Sequence, residues 1–267
     1  MQHTFVNQHD WQVRSPPVSI NAVGFLNVQI TGDVSSWDYN GSLITIHWET
    51  PFAPLEARSL SISYKVVRPV AGLYFDVPSP EYPNRVLHAI TDNETERCRY
   101  WLPCIDFPAV RTTLSFSLTA PSNMKAFANG TLLSETLANN LVTTEYRCET
   151  PCPSYLICLA VGEFVTISDQ TVNNMPIRYI APKSMPVEHL SRSFGKTPDM
   201  VRWIEKKLDY SFPWPKYDQI GSVSSFSRYS FTLHWRCNGK YFVGDMVRSL
   251  CHGSHSLSRT RSGGRAH

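Results

Sequence analysis

Hydrophobic and polar residues alternate along much of the chain between residues 18 and 180. A period of two places every second side chain on the same face of a β-strand, so that one face is buried and the other exposed. We therefore predict a mainly β fold for this region, an antiparallel β-sandwich. The alternation is clearest at Leu60, Ile62, Tyr64 and Val66 and again at Leu114, Phe116 and Leu118.

Turn signals separate the predicted strands. They include Asn40-Gly41, Pro78-Ser79-Pro80 and Asn129-Gly130. Asn and Gly both tolerate a positive φ, so an Asn-Gly pair favours a tight hairpin. We expect the pair at residues 129 and 130 to join two neighbouring strands in this way.

The hydrophobic period changes near Val187. Apolar positions then recur at intervals of four and three residues, which predicts one face of a helix that ends near Asp209. Pro198 lacks a backbone donor and should start or kink a turn inside this stretch. The positions on the predicted face are Leu190, Phe194, Thr197, Val201, Ile204 and Leu208.

The order of the predicted elements indicates more than one structural unit. Many strands followed by a helix, rather than strands alternating with helices, are typical of separate domains. We predict a β domain at residues 1–178, a short α/β fragment at 179–220 and a tail at 221–267. The tail is rich in Ser, Arg and Gly and has no hydrophobic period, a composition typical of disorder.

The composition is that of a globular protein. The 267 residues are 42% hydrophobic, 18% charged and 12% aromatic, with a net charge of +3. A charge this small gives no reason to expect a nucleic-acid or membrane partner. The chain starts without a signal-peptide pattern and has no run of about 18 apolar residues, so we expect a cytoplasmic location. Seven cysteines, an odd number in a chain of this size, favour free thiols over a disulfide framework.

Three blocks of sequence resemble the amino-terminal half of the aminopeptidase-N family of zinc metallopeptidases. Residues 99–116, R-Y-W-L-P-C-I-D-F-P-A-V-R-T-T-L-S-F, are similar to the family pattern F-P-C-x-D-x-P-x-x-(K/R)-x-x-(F/L) and form the most specific block. The others are residues 153–164 and residues 177–218, which include the connector F-P-W-P-K-Y-D. The resemblance covers residues 20 to 220. It implies the family's β domain at residues 1–178 and the start of its catalytic domain at 179–220.

The resemblance also implies one substrate-binding residue. In the family a Gln or Glu shortly before the F-P-C block helps to hold the free amino group of the peptide substrate, and Glu94 lies at the matching spacing. A carboxylate recognises a cationic amine by a charge-assisted hydrogen bond. The alternative is an exposed loop residue among other charges. For Asp106 we expect a bracing role before Pro108, and for Cys104 packing as a small hydrophobe, rather than catalytic roles.

The chain lacks the family's zinc motif. Peptide hydrolysis there needs two His of H-E-x-x-H and a distant Glu, and this chain has no H-E-x-x-H. A metal site at Cys251, His252 and His255 is the poorer alternative, because these residues lie in the predicted tail. We therefore expect no catalytic or metal-binding residue and no cofactor in this chain, although the intact family uses zinc. We expect such a truncated member to be inactive alone.

The tail also has the character of a sequence read out of frame. Shifted by one base, the codons that encode residues 235–247 allow G-G-A-M-E-N-I-S-L-V-T-W, which contains the family motif G-x-M-E-N. We interpret the tail as non-native, and we expect the helix to lack its usual partners from the missing domain. An alternative function is a non-catalytic scaffold, as in a transcription-initiation-complex subunit that keeps the same β domain and a similar W-x-P-C-x-D block.

Overall fold

The computed structural model describes residues 2–6, 17–51, 56–221, 235–237 and 240–242, with side chains described in 17–51 and 56–221. The first six strands form two sheets that pack against each other. They are β1 (Gln2–Val6), β2 (Val18–Asn21), β3 (Leu26–Gly32), β4 (Val34–Tyr39), β5 (Leu43–Trp48) and β6 (Ala57–Lys65).

The six strands make two antiparallel three-stranded sheets, in the orders β1-β6-β3 and β2-β5-β4. Ile20, Ile44 and Ile46 of one sheet and Leu60 and Ile62 of the other are buried in one shared core. This arrangement is the predicted β-sandwich. The alternation predicted in β6 is confirmed, because its exposed residues lie between buried ones.

Seven further strands continue the β region. They are β7 (Gly72–Asp76), β8 (His88–Asp92), β9 (Arg111–Pro121), β10 (Lys125–Ala128), β11 (Thr131–Ala138), β12 (Leu141–Pro153) and β13 (Leu159–Gly162). They form a sheet in the order β10-β13-β8-β7 and another in the order β11-β12-β9, both antiparallel. Two short 3-10 turns, Cys98–Tyr100 and Ser154–Leu156, lie before and after the second sheet in the chain.

The prediction of a hairpin at Asn129 and Gly130 is wrong. The pair connects β10 to β11, which belong to different sheets. The reason is tertiary: Asn129 Nδ2 donates to Leu156 O at 3.0 Å and Asn129 Oδ1 accepts from Cys158 N at 2.5 Å, which directs the chain out of the first sheet. The Asn40-Gly41 pair does close a hairpin, between β4 and β5.

The last sheet carries the helices. It contains β14 (Phe164–Ser168), β15 (Ile177–Pro182) and β16 (Tyr217–Ile220), with β16 parallel to β15. Between β15 and β16 the chain forms α1 (Val187–Phe194) and α2 (Thr197–Leu208). The one predicted helix is therefore two. Pro198 lies in the first turn of α2, where its missing N–H costs no hydrogen bond, and Asp209 ends α2 in a left-handed conformation.

The helices have partners within the chain, contrary to the expectation that these lie in a missing domain. Leu190 of α1 and Val201 of α2 are buried against Ile177, Tyr179 and Ala181 of β15. The sheet thus covers the apolar face that the sequence predicts on the helix. Both helices lie in the chain between β15 and β16 of this sheet.

The predicted boundary at residue 178 falls inside β15, and the three-part division of the chain remains a prediction. In the segment predicted as a disordered tail, the structure describes a short antiparallel pair, β17 (Trp235–Cys237) and β18 (Lys240–Phe242). The rest of residues 222–267, with the out-of-frame hypothesis and the candidate metal site at Cys251, His252 and His255, lies outside the described residues. Among the described helices, none is long and apolar enough to cross a membrane.

Candidate functional site

The predicted substrate-binding residue lies just after the end of β8, on a loop fixed by a buried amide. Asn93 is buried, and its Nδ2 donates to Ile157 O at 2.6 Å. Its Oδ1 accepts a hydrogen bond from Trp101 Nε1 at 2.8 Å. Glu94 follows directly and is exposed, and its peptide bond to Thr95 is cis. The loop backbone therefore has a defined position although the Glu94 side chain faces solvent.

Glu94 differs from the acidic residues beside it. Asp92 forms an ion pair with Arg97 at 3.5 Å, and Glu96 forms one with Arg99 at 2.5 Å. Within the part of the chain whose side chains are described, the Glu94 carboxylate has neither an ion pair nor a hydrogen bond. Among the described residues, it is therefore the acidic group of this loop that has no internal partner.

Asp106 has a structural role, as the sequence predicts, but it braces the two 3-10 turns rather than the turn before Pro108. Its Oδ2 accepts hydrogen bonds from Arg99 N at 3.2 Å and Arg99 Nε at 3.0 Å, and its Oδ1 accepts one from Ser154 Oγ at 2.6 Å. Its backbone N–H donates to Asn21 Oδ1 at 3.1 Å. A fully buried carboxylate with these partners joins both 3-10 turns to β2. Its oxygens are occupied by structural donors and are not presented to a substrate.

Cys104 packs in the way expected of a small hydrophobe. It lies against the buried cluster that contains Cys98, Trp101 and Leu102. Its backbone exchanges two hydrogen bonds with Asn21, at 2.8 and 3.1 Å. Cys104 therefore helps to attach the signature block to the first sandwich.

Sequence reasoning missed a buried charge network at the connector. Arg178 on β15 makes two hydrogen bonds of 2.7 Å to Asp218 on β16. Lys216 Nζ lies 3.1 Å from Asp218 Oδ2, donates to Ala128 O at 2.8 Å and sits 4.5 Å from the Tyr146 ring centroid. The available signal was the cation and the carboxylate two residues apart in the K-Y-D of the connector.

Burial and charge act in opposite directions on this network. Burial alone would raise the pKa of Asp218, but the Arg178 hydrogen bonds and the Lys216 charge outweigh it and hold that pKa below its usual value. Burial is also the largest effect on Lys216, whose pKa it lowers despite the nearby carboxylate. The network ties β15 and β16 to β10 and β12, so it positions the start of the second predicted unit on the first.

The described residues offer no place for the zinc of the resembling family. In the part of the chain that the structure describes, no three His, Cys, Asp or Glu side chains come together as metal ligands. These described residues therefore do not fit a zinc ion, which needs about four N, S or O ligands close together.

Comparison with known proteins shows to which family this chain is similar. Residues 1–156 match the family model of the Peptidase M1 N-terminal domain. Aminopeptidase N of Canis lupus familiaris is 29% identical over 156 residues, 57% of this chain and 16% of the relative. The puromycin-sensitive aminopeptidase of Caenorhabditis elegans is 26% identical over 200 residues, 72% of this chain and 20% of the relative. Transcription initiation factor TFIID subunit 2 of Danio rerio is 22% identical over 192 residues, 67% of this chain and 16% of the relative.

A solved structure shares the fold. The crystal structure of the M1 zinc metallopeptidase from Deinococcus radiodurans matches with a TM-score of 0.65 and 20% identity, over 82% of this chain and 51% of that chain. At this identity the likeness concerns the fold alone. The chain spans 16% to 20% of the length of the three relatives named above.

Proposed function

This chain belongs to the peptidase M1 family, of which it carries the N-terminal domain, and we propose that it forms the amine-binding wall of a zinc aminopeptidase. Such an enzyme removes residues from the amino ends of peptides. Two of the relatives are named aminopeptidases, and the structural relative is named a zinc metallopeptidase, which supports the proposal. Because the chain spans a small share of these relatives' length, the proposed activity is that of the whole enzyme.

The observation that carries the proposal is the state of Glu94. Its carboxylate is exposed on a loop that buried Asn93 holds in place, while Asp92 and Glu96 are paired with arginines. A carboxylate that has no partner among the described residues binds an ammonium group without first breaking an ion pair to one of them. The α-amino group of a peptide has a pKa of about 8 and is largely cationic at neutral pH, so the charges are complementary.

Bond cleavage is assigned in this proposal to residues outside the present 267. The sequence contains no H-E-x-x-H, and the described residues form no metal site. We therefore expect no release of leucine when the purified chain is incubated with zinc and a leucyl peptide. Release of leucine above a protein-free control would contradict this assignment.

Amine binding is tested by NMR titration of the ¹⁵N-labelled 267-residue chain. Leucine amide, which has a free amino group, should shift the backbone signals of Asn93, Glu94 and Thr95, and N-acetyl-leucine amide should not. Loss of a charge-assisted hydrogen bond costs about 1.5–3 kcal/mol, so Glu94→Gln should weaken binding at least about tenfold.

The matched control for this titration is Glu96→Gln. Glu96 lies on the same loop and has the same charge, but it is already paired with Arg99. Its replacement should leave the affinity for leucine amide within about a factor of two, a difference below about 0.5 kcal/mol. Equal shifts with the acetylated compound, or equal losses for both variants, would show that general charge and not Glu94 attracts the ligand.

A non-catalytic scaffold is the less supported function. It rests on the similarity to TFIID subunit 2, at 22% identity. Sequencing the transcript beyond codon 220 distinguishes the two. The aminopeptidase proposal expects a shifted frame that encodes G-x-M-E-N and then H-E-x-x-H, and a frame without both motifs would favour the scaffold.

A further inference from the structure

Two cysteines flank an irregularity in the longest strand. Along β12, Cys148 lies opposite Leu114 of β9, whereas Cys152 lies opposite Thr112. Four steps along β12 thus correspond to two steps along β9, and the exposed residues 149–151 bulge out of the ladder. Because the partners are two residues apart, Cys148 and Cys152 face the same side of the sheet. Both are buried beneath the bulge.

The two thiols lie at neighbouring positions on one face of the sheet, and each perturbs the pKa of the other. Both are reduced, because all five cysteines with described side chains are free. The Cys148 thiol also lies 3.4 Å from Thr150 O in the bulge. Strand positions two residues apart are separated by about 6.6 Å, near the upper end of the Cα separations that a disulfide spans. The bulge has extra chain with which to close the remaining distance.

The surroundings make the two thiols unequal. The neighbouring Cys152 thiol lowers the pKa of Cys148 to about 7; burial opposes this, and the backbone at Thr150 and the Lys216 charge assist it. The Cys148 thiol and burial raise the pKa of Cys152, against a smaller opposing effect of Arg111. The Cys148 sulfur also lies against the backbone of the exposed bulge. A thiolate is the nucleophilic form of cysteine, so this position and the lowered pKa together favour Cys148 as the attacking group and Cys152 as the resolving group.

We propose that Cys148 and Cys152 are a reversible dithiol–disulfide site that hydroperoxides oxidise. The Cys148 thiolate attacks one peroxide oxygen, the O–O bond breaks, and the leaving oxygen takes up a proton as water or an alcohol. Cys148 is then a sulfenic acid. The Cys152 sulfur attacks the Cys148 sulfur, the S–O bond breaks, and hydroxide leaves with the Cys152 proton as water. Two thiols and one hydroperoxide thus give one disulfide, one water and one further water or alcohol.

The other described cysteines provide internal comparisons. Cys98 and Cys104 pack in one buried cluster, and burial raises the pKa of Cys98 well above its usual range. Burial raises the pKa of Cys158 to about 11. These thiols should therefore remain alkylatable at peroxide concentrations that oxidise the pair at the bulge. The inference is independent of the proposed function, because Glu94 and its loop play no part in it.

The experiment is peroxide titration of the full chain followed by alkylation and mass spectrometry. Cleavage after arginine yields one fragment, residues 148–178, that holds Cys148, Cys152 and Cys158, so a second cleavage after Tyr155 is needed to separate them. We expect the 148–155 fragment to lose two hydrogens and both alkylation sites, and dithiothreitol to restore both. In Cys152→Ser, dimedone should label Cys148.

The control variant is Cys158→Ser, which should leave oxidation of the 148–155 fragment unchanged. Full alkylation of both thiols up to the concentration that oxidises Cys158 would overturn the proposal. A disulfide between Cys98 and Cys104, or between Cys148 and Cys158, would overturn it as well. The decisive measurement is the mass of the 148–155 fragment from the wild-type chain. The result therefore does not depend on whether any variant folds.

Discussion

Replacing Asp106 by alanine should destabilise the protein strongly. The Asp106 side chain has no exposed surface, while that of Arg99 is 23% exposed. The variant removes the acceptor of three hydrogen bonds, two from Arg99 and one from the buried hydroxyl of Ser154. The bond from Ser154 joins two segments that are 48 residues apart in sequence.

The magnitude follows from what remains buried. A buried donor without a partner costs about 1–3 kcal/mol, and loss of one member of a buried ion pair costs about 3–5 kcal/mol. Arg99 is partly exposed and keeps Glu96 as a partner, so the lower part of that range applies. We expect Asp106→Ala to lower the free energy of unfolding by about 3 kcal/mol.

Asparagine should be tolerated better at this position. The Ser154 hydroxyl can turn and accept from the new amide, while the amide oxygen still accepts from Arg99. We expect Asp106→Asn to cost about 1–2 kcal/mol and Ser154→Ala a similar amount. The double variant should cost less than the two single losses together, because both remove the same hydrogen bond.

The assay is urea unfolding followed by far-ultraviolet circular dichroism and tryptophan fluorescence. Coincident transitions and an unchanged slope against urea would permit free energies to be compared. A loss below about 1 kcal/mol for Asp106→Ala would refute the bracing role. A stable Asp106→Ala variant that no longer binds leucine amide would instead make Asp106 part of the amine site.

Three further outcomes are expected. Gly130→Ala should lower the free energy of unfolding by at least about 3 kcal/mol in urea, since φ is +86° and the new Cβ would lie 2.0 Å from Arg147 O. The control is Gly41→Ala, where the new Cβ would have open space around it. Because the pKa of Asp218 is lowered by folding, its stabilisation should be present above about pH 4 and be lost as the pH falls through the folded value, so the urea midpoints of wild type and Asp218→Asn should converge in acid. A constant difference down to pH 2 would contradict that reasoning. Truncation after Pro182 should reduce soluble yield relative to truncation after Gly221, because it uncovers the β15 face that α1 and α2 bury; equal yields would show that the helices contribute little.

Much of the fold could be predicted from neighbouring residues. The alternation in β6 and β9 depends on side chains two positions apart, and the helical face depends on residues three or four apart. These patterns reflect which face of an element is buried, so the folded protein shows the burial that they predict. Glu94 was proposed from the resemblance to the family and not from such a pattern. Its distinguishing property, a carboxylate that has no partner among the described residues and lies between two paired ones, requires the positions of Arg97 and Arg99.

The amino-acid sequence was sufficient to predict the β-sandwich, the helical stretch and the family, because each depends on short patterns. The substrate-binding role of Glu94 stays a prediction. Only the tertiary structure showed that residues 129 and 130 link two sheets, and that the helices pack on β15 within this chain. It also revealed the contact from Lys216 to Ala128, 88 residues away, and the adjacent thiols of Cys148 and Cys152. Local propensity does not specify which distant faces are buried together; that is decided by the total apolar surface buried and by the polar groups left needing partners.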